Sequence, residues 1–401
     1  MKNLGRDCVV SFEEAFEIVM ISAHRLGTER VSIVENGALN RVLREDVASD
    51  IDIPPFDKSA MDGFACRRAD LGNELTVIET VAAGSVPKKV IGLNRCARIM
   101  TGAVVPEGAN CVIMVESAER TGENRIRFTG DSTEDHISRK GEDTKKGDVV
   151  LHAGELIRAQ HIAVLASAGW VEPLVSARPR VGIITTGSEI VEAGEKPAAG
   201  QIRNSNGYQL SAQATGAGAI ARSYGIVEDN KEQLDAMVRK AAAENDVVVL
   251  SGGVSVGDYD FVREVLKKNG VRLLFERVAV KPGRPMVFGV SDEVFYFGMP
   301  GNPVSSFVMF ELLVKPFLFK MMGHDLKPGV CLRRLEEDIT RNRTARDSWL
   351  PVVFTGSDGA AKVEYHGSAH ISALCKADGL LCMPAGVGEI KAGTIVAVRQ
   401  I

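Results

Sequence analysis

Two glycine-rich turns constrain the fold of this 401-residue chain more than any other feature. Residues 251–257 read Ser-Gly-Gly-Val-Ser-Val-Gly after an apolar run, and residues 298–305 read Gly-Met-Pro-Gly-Asn-Pro-Val-Ser after another. Each turn precedes a helix-like segment, so its backbone N–H groups can point together at a bound anion. Lys281 and Arg284 lie between the turns, on a loop shaped by proline and glycine. The pattern predicts a site for a phosphate-bearing ligand.

Strand-like and helix-like segments alternate around these turns, from Val181 to Met322. The predicted strands are 181–184, 220–227, 247–250, 273–280 and 294–297. The predicted helices are 208–215, 231–243, 261–268 and 303–322. Such alternation is typical of a largely parallel sheet covered by helices on both faces, a three-layer doubly wound α/β domain. Ligands of these sheets bind at the carboxyl ends of the strands, where both turns fall.

The rest of the chain has a different pattern of predicted helices and strands. Ser11 and Glu14 form a capping box that predicts a helix to about Arg25, and residues 158–168 predict a second helix. Residues 51–150 and the segment after Gly329 consist of short alternating stretches broken by glycine and proline, which indicate β modules. The fold class is therefore α/β plus β, with two to four domains for this length.

Charge and cysteine content narrow the range of possible partners and cellular compartments. The net charge of −4 and the pI near 6.1 give no basic field, which argues against a nucleic-acid partner. The seven cysteines are scattered without a C-x-x-C pair, as expected in a reducing compartment. No signal peptide and no apolar run of membrane-spanning length occur in the sequence, so we predict a cytoplasmic protein without a membrane partner.

Carboxylates follow several of the predicted strands. Thr185–Glu189, Asp229, Asp258 and Asp260 all come at strand ends or directly after the first glycine turn. Carboxylates beside a phosphate site would repel one another unless a cation joined them, and Mg²⁺ is the usual one. This favours a metal-assisted displacement at phosphorus. The alternative is that each carboxylate caps a helix, and for Asp258 both interpretations remain open.

Other polar segments have simple structural alternatives. Residues 54–65 concentrate carboxylates, a lysine and a hydroxyl, but could form a surface turn between domains. Thr101-Gly102 could offer donors to an anion or form a hairpin bend. Gly141–Asp143 stands in a mixed-charge run of the kind that usually forms a solvated loop. The arginines between residues 333 and 346 are most simply a solvated face, or else a rim that steers anions.

Taken together, these motifs closely resemble the molybdopterin molybdenumtransferase family, which includes the MoeA proteins and the gephyrin E domain. The resemblance rests on an ordered set of motifs that covers nearly the whole chain. The set comprises Asp57–Ala65, Arg98–Gly102, Gly141–Asp143, Thr186–Glu189, Gly200–Ile202, Ser251–Asp260, Lys281–Pro285, Gly298–Ser305 and Gly367–Ser368.

The resemblance implies four domains. An elongated helical domain would comprise residues 1–48 and 144–176, with a β domain, 49–143, inserted in it. An α/β domain of the molybdopterin-binding type would span 177–328, and a C-terminal β domain 329–401. The resemblance also implies a homodimer, whose active site lies between the α/β domain of one subunit and the inserted β domain of the other.

The implied activity is insertion of molybdate, a substrate, into the dithiolene of adenylylated molybdopterin, with Mg²⁺-dependent release of AMP. The implied catalytic residues are Asp62, Asp143, Glu189, Asp229 and Asp260, of which Glu189, Asp229 and Asp260 would also position the metal. The implied substrate-binding residues are Ser59, Thr101, Thr186, Ser251, Gly252, Gly253, Lys281, Arg284, Pro300, Gly301, Asn302 and Ser368. A molybdopterin adenylyltransferase and molybdoenzymes are the implied candidate partners.

The chain departs from the family pattern at two positions. Many relatives carry an arginine at the position of Ser138, three residues before the Gly-x-Asp motif, where it serves an oxyanion site; the neighbouring Arg139 could replace it. Relatives often also have an arginine at the position of Pro351, just after the aromatic position of Trp349. Both changes bear on molybdate affinity and on the choice between molybdate and tungstate.

Two other functions are compatible with parts of the pattern. The same α/β domain and Ser-Gly-Gly turn serve the adenylylation of molybdopterin in related proteins, although the additional domains argue against that reaction here. A scaffold that binds a partner peptide, as the gephyrin E domain does, is the remaining alternative. The chain has no long linker and no fused adenylylating domain to support it.

Overall fold

The computed structural model describes residues 9–35, 37–253 and 261–401, and these form two compact units. The α/β unit comprises Met1–Arg30, Asn40–Arg44 and Leu174–Ile401. The β unit comprises Val31–Leu39 and Glu45–Pro173. The boundaries of the four domains given above remain a prediction.

A six-stranded sheet forms the centre of the α/β unit. Its order is Ile220–Val227, Arg180–Thr186, Val247–Ser251, Phe295–Met299, Val287–Val290 and Arg272–Phe275. The first four strands are parallel, and Val287–Val290 runs antiparallel to both of its neighbours, so the prediction of a largely parallel sheet is confirmed. The carboxyl ends of the four parallel strands consequently meet at one edge.

The sequence prediction was wrong about the segment 273–280. Instead of one strand, it forms Arg272–Phe275 in the central sheet, Arg277–Val278 beside Val9–Val10, and Val280–Lys281 beside the strand Asp347–Thr355. Consecutive short pieces of the chain thus pair with three different partners, which an apolar pattern cannot reveal. The strand Val287–Val290 was not predicted.

Four helical segments cover the sheet in the described part of the α/β unit: Ser205–Gly216, Lys231–Glu244, Val262–Lys268 and Pro303–Met321. The first two begin after Asn204 and Asn230, whose side chains accept from backbone N–H groups of the first turn. The last is continuous but contains a π-helical turn, Phe310–Val314, which the prediction of one regular helix had missed. The buried Glu311 lies in this turn.

Burial on both faces explains why the central strand Val247–Ser251 is wholly apolar up to its last residue. Val248 and Leu250 pack against the helices Lys231–Glu244 and Val262–Lys268 on one face. All five residues of the strand are buried. A strand covered on both faces has no solvent side on which polar residues would recur, so the alternating pattern disappears.

The predicted helices outside this sheet are present. Ser11 and Glu14 form the capping box as predicted, and the helix runs over Phe12–Ser22, about one turn shorter than expected. It ends at Ala23, whose backbone is extended. The helix Ala159–Ser167 lies in the β unit, at the predicted position.

The C-terminal part of the α/β unit is a small closed barrel. Its strands are Val330–Leu335, Asp347–Thr355, Gly359–Lys362, Gly379–Met383 and Ile395–Gln400. Asp347–Thr355 pairs with both Gly359–Lys362 and Gly379–Met383, which closes the ring. Closure satisfies backbone groups that a sheet edge would leave unpaired. The strand Val280–Lys281 extends this sheet beside Asp347 and Ser348.

The β unit is built on a second six-stranded sheet. Its order is Cys111–Met114, Gly63–Cys66, Arg95–Ile99, Glu74–Val81, Arg125–Phe128 and Ala118–Gly122. Successive residues of Cys111–Met114 enter two different apolar clusters, Cys111 and Ile113 on one face and Val112 on the other. Both faces of the sheet are therefore buried at this strand.

Gly63 permits the closest backbone approach in the centre of this sheet. A methyl group at Gly63 would lie 1.9 Å from the carbonyl oxygen of Ile113. We therefore predict that Gly63→Ala destabilises the protein by about 1–3 kcal/mol, the usual range for overpacking. Urea unfolding followed by circular dichroism measures the change. The control is Gly72→Ala, because a methyl group there meets no atom within 4 Å; equal stability of the two variants would contradict the prediction.

Candidate functional site

The two glycine-rich turns lie side by side. The parallel strands that precede them pair Ser251 with Met299, and the N–H of Gly252 donates to the carbonyl oxygen of Met299 at 3.2 Å. A methyl group on Gly301 would be 3.8 Å from the Cα atom of Gly252. Two turns separated by almost fifty residues of chain thus reach van der Waals contact, because their strands are neighbours in the sheet.

Gly252 is required by the close approach of the first turn to Thr186, at the end of the strand on its other side. Its φ angle of 96° lies in the left-handed region, and a methyl group there would be 2.2 Å from the carbonyl oxygen of Thr186. Any larger residue would strain the backbone and push the turn away from the neighbouring strand end. The first turn is thereby held close to both adjacent strands.

A cavity of about 640 Å³ opens above these strand ends. Residues at the carboxyl ends of all four parallel strands line it, as expected for the ligand site of such a sheet. The predicted site residues that line it are Thr186, Glu189, Asp229, Ser251, Gly252, Gly253, Pro300, Gly301 and Asn302. We call this space the first cavity.

Two carboxylates in the first cavity differ in how they are held. Asp229 is fixed by the loop after the neighbouring strand: its carboxylate accepts from the N–H of Ser188 at 3.1 Å and from the hydroxyl of Thr186 at 3.4 Å. Glu189 is exposed. Asp258 and Asp260 lie outside the described residues. Among those that the structure does describe, no cluster of three or more acidic, histidine or cysteine side chains is arranged to bind a metal ion.

Asn206 also lines the first cavity, and the sequence analysis did not identify it. Its side-chain N–H₂ donates at 2.8 Å to the hydroxyl oxygen of Ser251 and at 2.8 Å to the carbonyl oxygen of Gly301. One buried amide therefore joins the two glycine turns. The prediction had started this helix near Tyr208, which left Asn206 in a loop; the Asn204 cap was the signal that could have placed it correctly.

A second cavity, of about 580 Å³, adjoins the first and shares Pro285, Asn302 and Ser305 with it. The predicted residues Lys281, Arg284 and Ser368 lie here rather than in the first cavity. The C-terminal barrel adds further cations. Those that the sequence analysis did not assign to the site are Arg341, Arg346 and Lys362.

Among the described residues that line the second cavity, no carboxylate balances this positive charge. Arg341 donates to the carbonyl oxygens of Val387, Arg346 and Pro384, which fix its guanidinium without neutralising it. Burial, followed by the neighbouring Arg284 and Arg343, lowers the pKa of Arg346. Cations held together in this way indicate an anion site.

The predicted residues of the β unit form a separate group. Thr101 donates its N–H at 2.6 Å and its hydroxyl at 2.7 Å to the same carboxylate oxygen of Asp62. The two hydrogen bonds, that of the hydroxyl first, lower the pKa of Asp62. Ser59 is buried and donates its hydroxyl to the carbonyl oxygen of Met61 at 2.6 Å, whereas Asp143 is exposed. Within the β unit, Thr101 thus holds Asp62 ionised at the surface.

Arg139 does not have the free guanidinium that would replace an arginine at position 138. It donates to Asp57 at 3.0 Å and to Asp135 at 3.1 Å. Ser138 itself lies in a short strand paired with Lys58 and Ser59. The positive charge of Arg139 is already matched by two carboxylates, so the compensation suggested by the sequence is not available in this arrangement.

Comparison with known protein families accounts for nearly the whole chain. Residues 10–169 match the MoeA N-terminal region (domain I and II), and residues 182–320 match a family described as "Probable molybdopterin binding domain". Residues 333–401 match the MoeA C-terminal region (domain IV). The three matches follow one another in chain order.

Individual relatives extend over the same length. The chain is 35% identical over 410 residues to a molybdopterin molybdenumtransferase of Staphylococcus epidermidis, covering 97% of this chain and 95% of that protein. It is 37% identical to the protein of the same name from Staphylococcus aureus, covering 92% and 90%. The crystal structure of the molybdopterin biosynthesis MoeA protein from Pyrococcus horikoshii OT3 superposes with a TM-score of 0.84 at 32% identity, covering 98% and 100%.

We predict that Asn206→Ala lowers the free energy of unfolding by about 1–3 kcal/mol, because the buried Ser251 hydroxyl and the Gly301 carbonyl lose their common donor. Urea unfolding measures the change. The control is Ser205→Ala, since Ser205, the first residue of the same helix, is exposed. A loss no larger than that of the control would show that the amide does not hold the two turns together.

Proposed function

The chain belongs to the molybdopterin molybdenumtransferase (MoeA) family, and we propose that it inserts molybdate into adenylylated molybdopterin in the biosynthesis of molybdenum cofactor. AMP leaves in the same reaction. The proposal is supported by relatives of this name that match more than nine-tenths of the chain.

The observation that carries the proposal is the pair of adjoining cavities with different electrostatic character. Among the described lining residues, the first cavity contains the glycine turns, Glu189 and Asp229 with one arginine, Arg203, whereas five cations line the second. A reaction between a phosphate-bearing molecule and a free oxyanion needs room for both and a common boundary where they meet. Asn302 and Ser305 lie on that boundary.

In the first cavity, the backbone N–H groups of the glycine turns are suited to binding the adenylylated substrate. We assign the binding of its pterin and phosphate groups to Ser251, Gly252, Gly253, Pro300 and Gly301. These residues place backbone donors close together without side chains in between. Thr186 contributes a hydroxyl beside Asp229. Asn206 would keep the two turns at a fixed spacing around the ligand.

The residues of the first cavity fit a magnesium ion. Asp229 and Glu189 supply the hard oxygen ligands that Mg²⁺ prefers, and one or two carboxylates with substrate phosphates usually suffice. Bound there, the ion would neutralise charge on the phosphoanhydride and make AMP a better leaving group. Asp229 is already oriented by Ser188 and Thr186. Asp260 is proposed as a further ligand.

In the second cavity, Lys281, Arg284 and Ser368 would bind molybdate, with Arg341 and Arg346 adding positive charge. Arg341 is held rigidly by three carbonyl oxygens, so little motion is lost when an anion binds. These cations could compensate for the arginines that relatives have at positions 138 and 351.

We further propose that the protein acts as a cytoplasmic homodimer with shared active sites. Asp62, Ser59, Thr101 and Asp143 would complete the site formed by the α/β unit of the partner copy. The hydrogen bonds from Thr101 keep Asp62 ionised. An ionised carboxylate is needed in a residue that accepts a proton or orients a water molecule. Within residues 9–35, 37–253 and 261–401, no helix combines the length and apolar character that crossing a membrane requires.

The reaction can be tested by mixing the purified protein with adenylylated molybdopterin, Mg²⁺ and either molybdate or tungstate. We expect AMP release and cofactor formation, both lowered about tenfold or more in Asp229→Asn because a metal-positioning carboxylate is lost. Glu228→Gln, an exposed neighbour outside the cavity, is the matched control. ATP consumption with molybdopterin and without molybdate would instead favour the adenylylation reaction, and full AMP release by Asp229→Asn would remove that residue from the mechanism.

Sharing of the active site can be tested with a heterodimer that carries Asp62→Ala in one subunit and Asp229→Asn in the other. If each site combines the two residues from different subunits, one of the two sites is intact. The heterodimer should then show about half of the wild-type AMP release. Two different affinity tags allow its purification. Activity as low as in the two single-variant homodimers would contradict a shared site.

A further inference from the structure

We propose that the second cavity selects its anion by protonation state: it accepts fully deprotonated tetrahedral dianions and discriminates against hydrogen phosphate. The inference rests on the proposed function, because it concerns the cavity assigned there to molybdate. It goes beyond that function by stating which property of the anion is recognised and which competing anion is excluded.

The side chains of the cavity supply donors in excess. Five cations line it: Lys281, Arg284, Arg341, Arg346 and Lys362. None of them forms an ion pair with a carboxylate in the described part of the chain. The described residues that line the cavity include no aspartate or glutamate at all. Lysine and arginine side chains donate hydrogen bonds and cannot accept them.

Neutral hydrogen-bond donors line the cavity in addition to the cations. Burial raises the pKa of Tyr365 to about 12, so its hydroxyl remains protonated near neutral pH and can donate. Hydroxyl groups of Thr340, Ser348 and Ser368 also line the cavity. Molybdate, tungstate and sulfate carry no proton near neutral pH, so each of their four oxygens can accept from such donors.

Inorganic phosphate differs because it retains at least one P–O–H group from mildly acidic to mildly alkaline pH. That group is a donor and needs an acceptor. A carboxylate would serve, but the described lining offers only neutral acceptors such as Asn302, the imidazole of His366 and the hydroxyl oxygens. A neutral group that accepts the P–O–H hydrogen is a weaker partner than a carboxylate, and the protonated oxygen of phosphate is lost as an acceptor for the surplus donors. Phosphate therefore leaves one more donor of the cavity unpaired than a deprotonated dianion does.

Such selection has a clear use in the proposed reaction. The first cavity is suited to phosphate groups, whereas the second must receive an oxyanion of similar shape and charge in the presence of phosphate. Tetrahedral geometry does not distinguish these anions, but the remaining proton does. An acceptor-poor lining therefore keeps the second cavity available for the metal oxyanion.

Binding of the anions alone tests the inference. Molybdate, tungstate, sulfate and phosphate are titrated separately into the full-length protein near neutral pH, with isothermal titration calorimetry as the readout. We expect the three deprotonated dianions to bind more tightly than phosphate, by about fivefold to 150-fold, the factor that corresponds to one unpaired buried hydrogen-bonding group. A preference below about fivefold for each of the three would overturn the proposal.

Tryptophan fluorescence shows whether the titrated anion occupies this cavity. The chain contains two tryptophans, and Trp349 lines the second cavity. Trp170 lies in the β unit and donates its indole N–H to the carbonyl oxygen of Ala48 at 2.8 Å. In a Trp170→Phe background, the remaining signal comes from Trp349. Molybdate and sulfate should change it in proportion to the calorimetric saturation, and phosphate at the same concentration should change it less.

An added carboxylate should reduce the preference. Ser368→Asp places a carboxylate in the cavity, and it should weaken the binding of the dianions while improving phosphate relative to them by at least about fivefold. Ser368→Asn, of nearly the same size but neutral, is the matched control and should retain the preference. Thr340→Asp with Thr340→Asn provides a second pair should Ser368→Asp not fold, as judged by thermal unfolding. An unchanged phosphate-to-sulfate ratio in a folded aspartate variant would overturn the proposal.

The outcomes separate this inference from the proposed function. A protein that releases AMP with molybdate but binds phosphate as well as sulfate would retain the function and lose the selection mechanism. A protein that binds molybdate and excludes phosphate but releases no AMP would retain the selection mechanism and lose the function.

Discussion

The parallel pairing of the strands Val247–Ser251 and Phe295–Met299 is the interaction on which the rest of the site depends. It brings the two glycine turns into contact, and the absence of a side chain at Gly252 lets the first turn also lie against Thr186 of the other neighbouring strand. The amide of Asn206 then joins the turns from the neighbouring helix. Apolar burial on both faces holds these strands, so the turns are supported by strands whose residues are all buried.

A second organising principle is the unequal distribution of charge between the two cavities. Among the described lining residues, the first has two carboxylates and one arginine, Arg203, and the second has five cations. Carboxylates lie at the sheet edge, where Asp229 is fixed by Ser188 and Thr186. Cations lie towards the C-terminal barrel, where Arg341 is fixed by carbonyl oxygens. Had the same groups been mixed, they would have neutralised one another as ion pairs. Kept apart, each set can interact with a ligand of opposite charge.

The fold was predictable where one physical rule governed the pattern. The capping box at Ser11, the strand Val247–Ser251 and the parallel sheet followed from local hydrogen bonding and from burial on two faces. Segment 273–280 was not predictable, because its short pieces pair with partners far away in the chain. The role of Asn206 was missed for a related reason: the two groups it binds, on Ser251 and Gly301, lie 45 and 95 residues away in the chain.

By itself, the sequence determined the kind of chemistry: glycine turns after buried strands, carboxylates at strand ends and Lys281 and Arg284 on a proline-glycine loop. Local geometry and residue type suffice for that. Only the tertiary structure decided that Lys281, Arg284 and Ser368 lie in a cavity of their own with Arg341 and Arg346, and that Arg139 is already paired with acids. Charge acts through space over a few ångströms, and the positions of these groups are set by strand pairing and barrel closure rather than by their spacing along the chain.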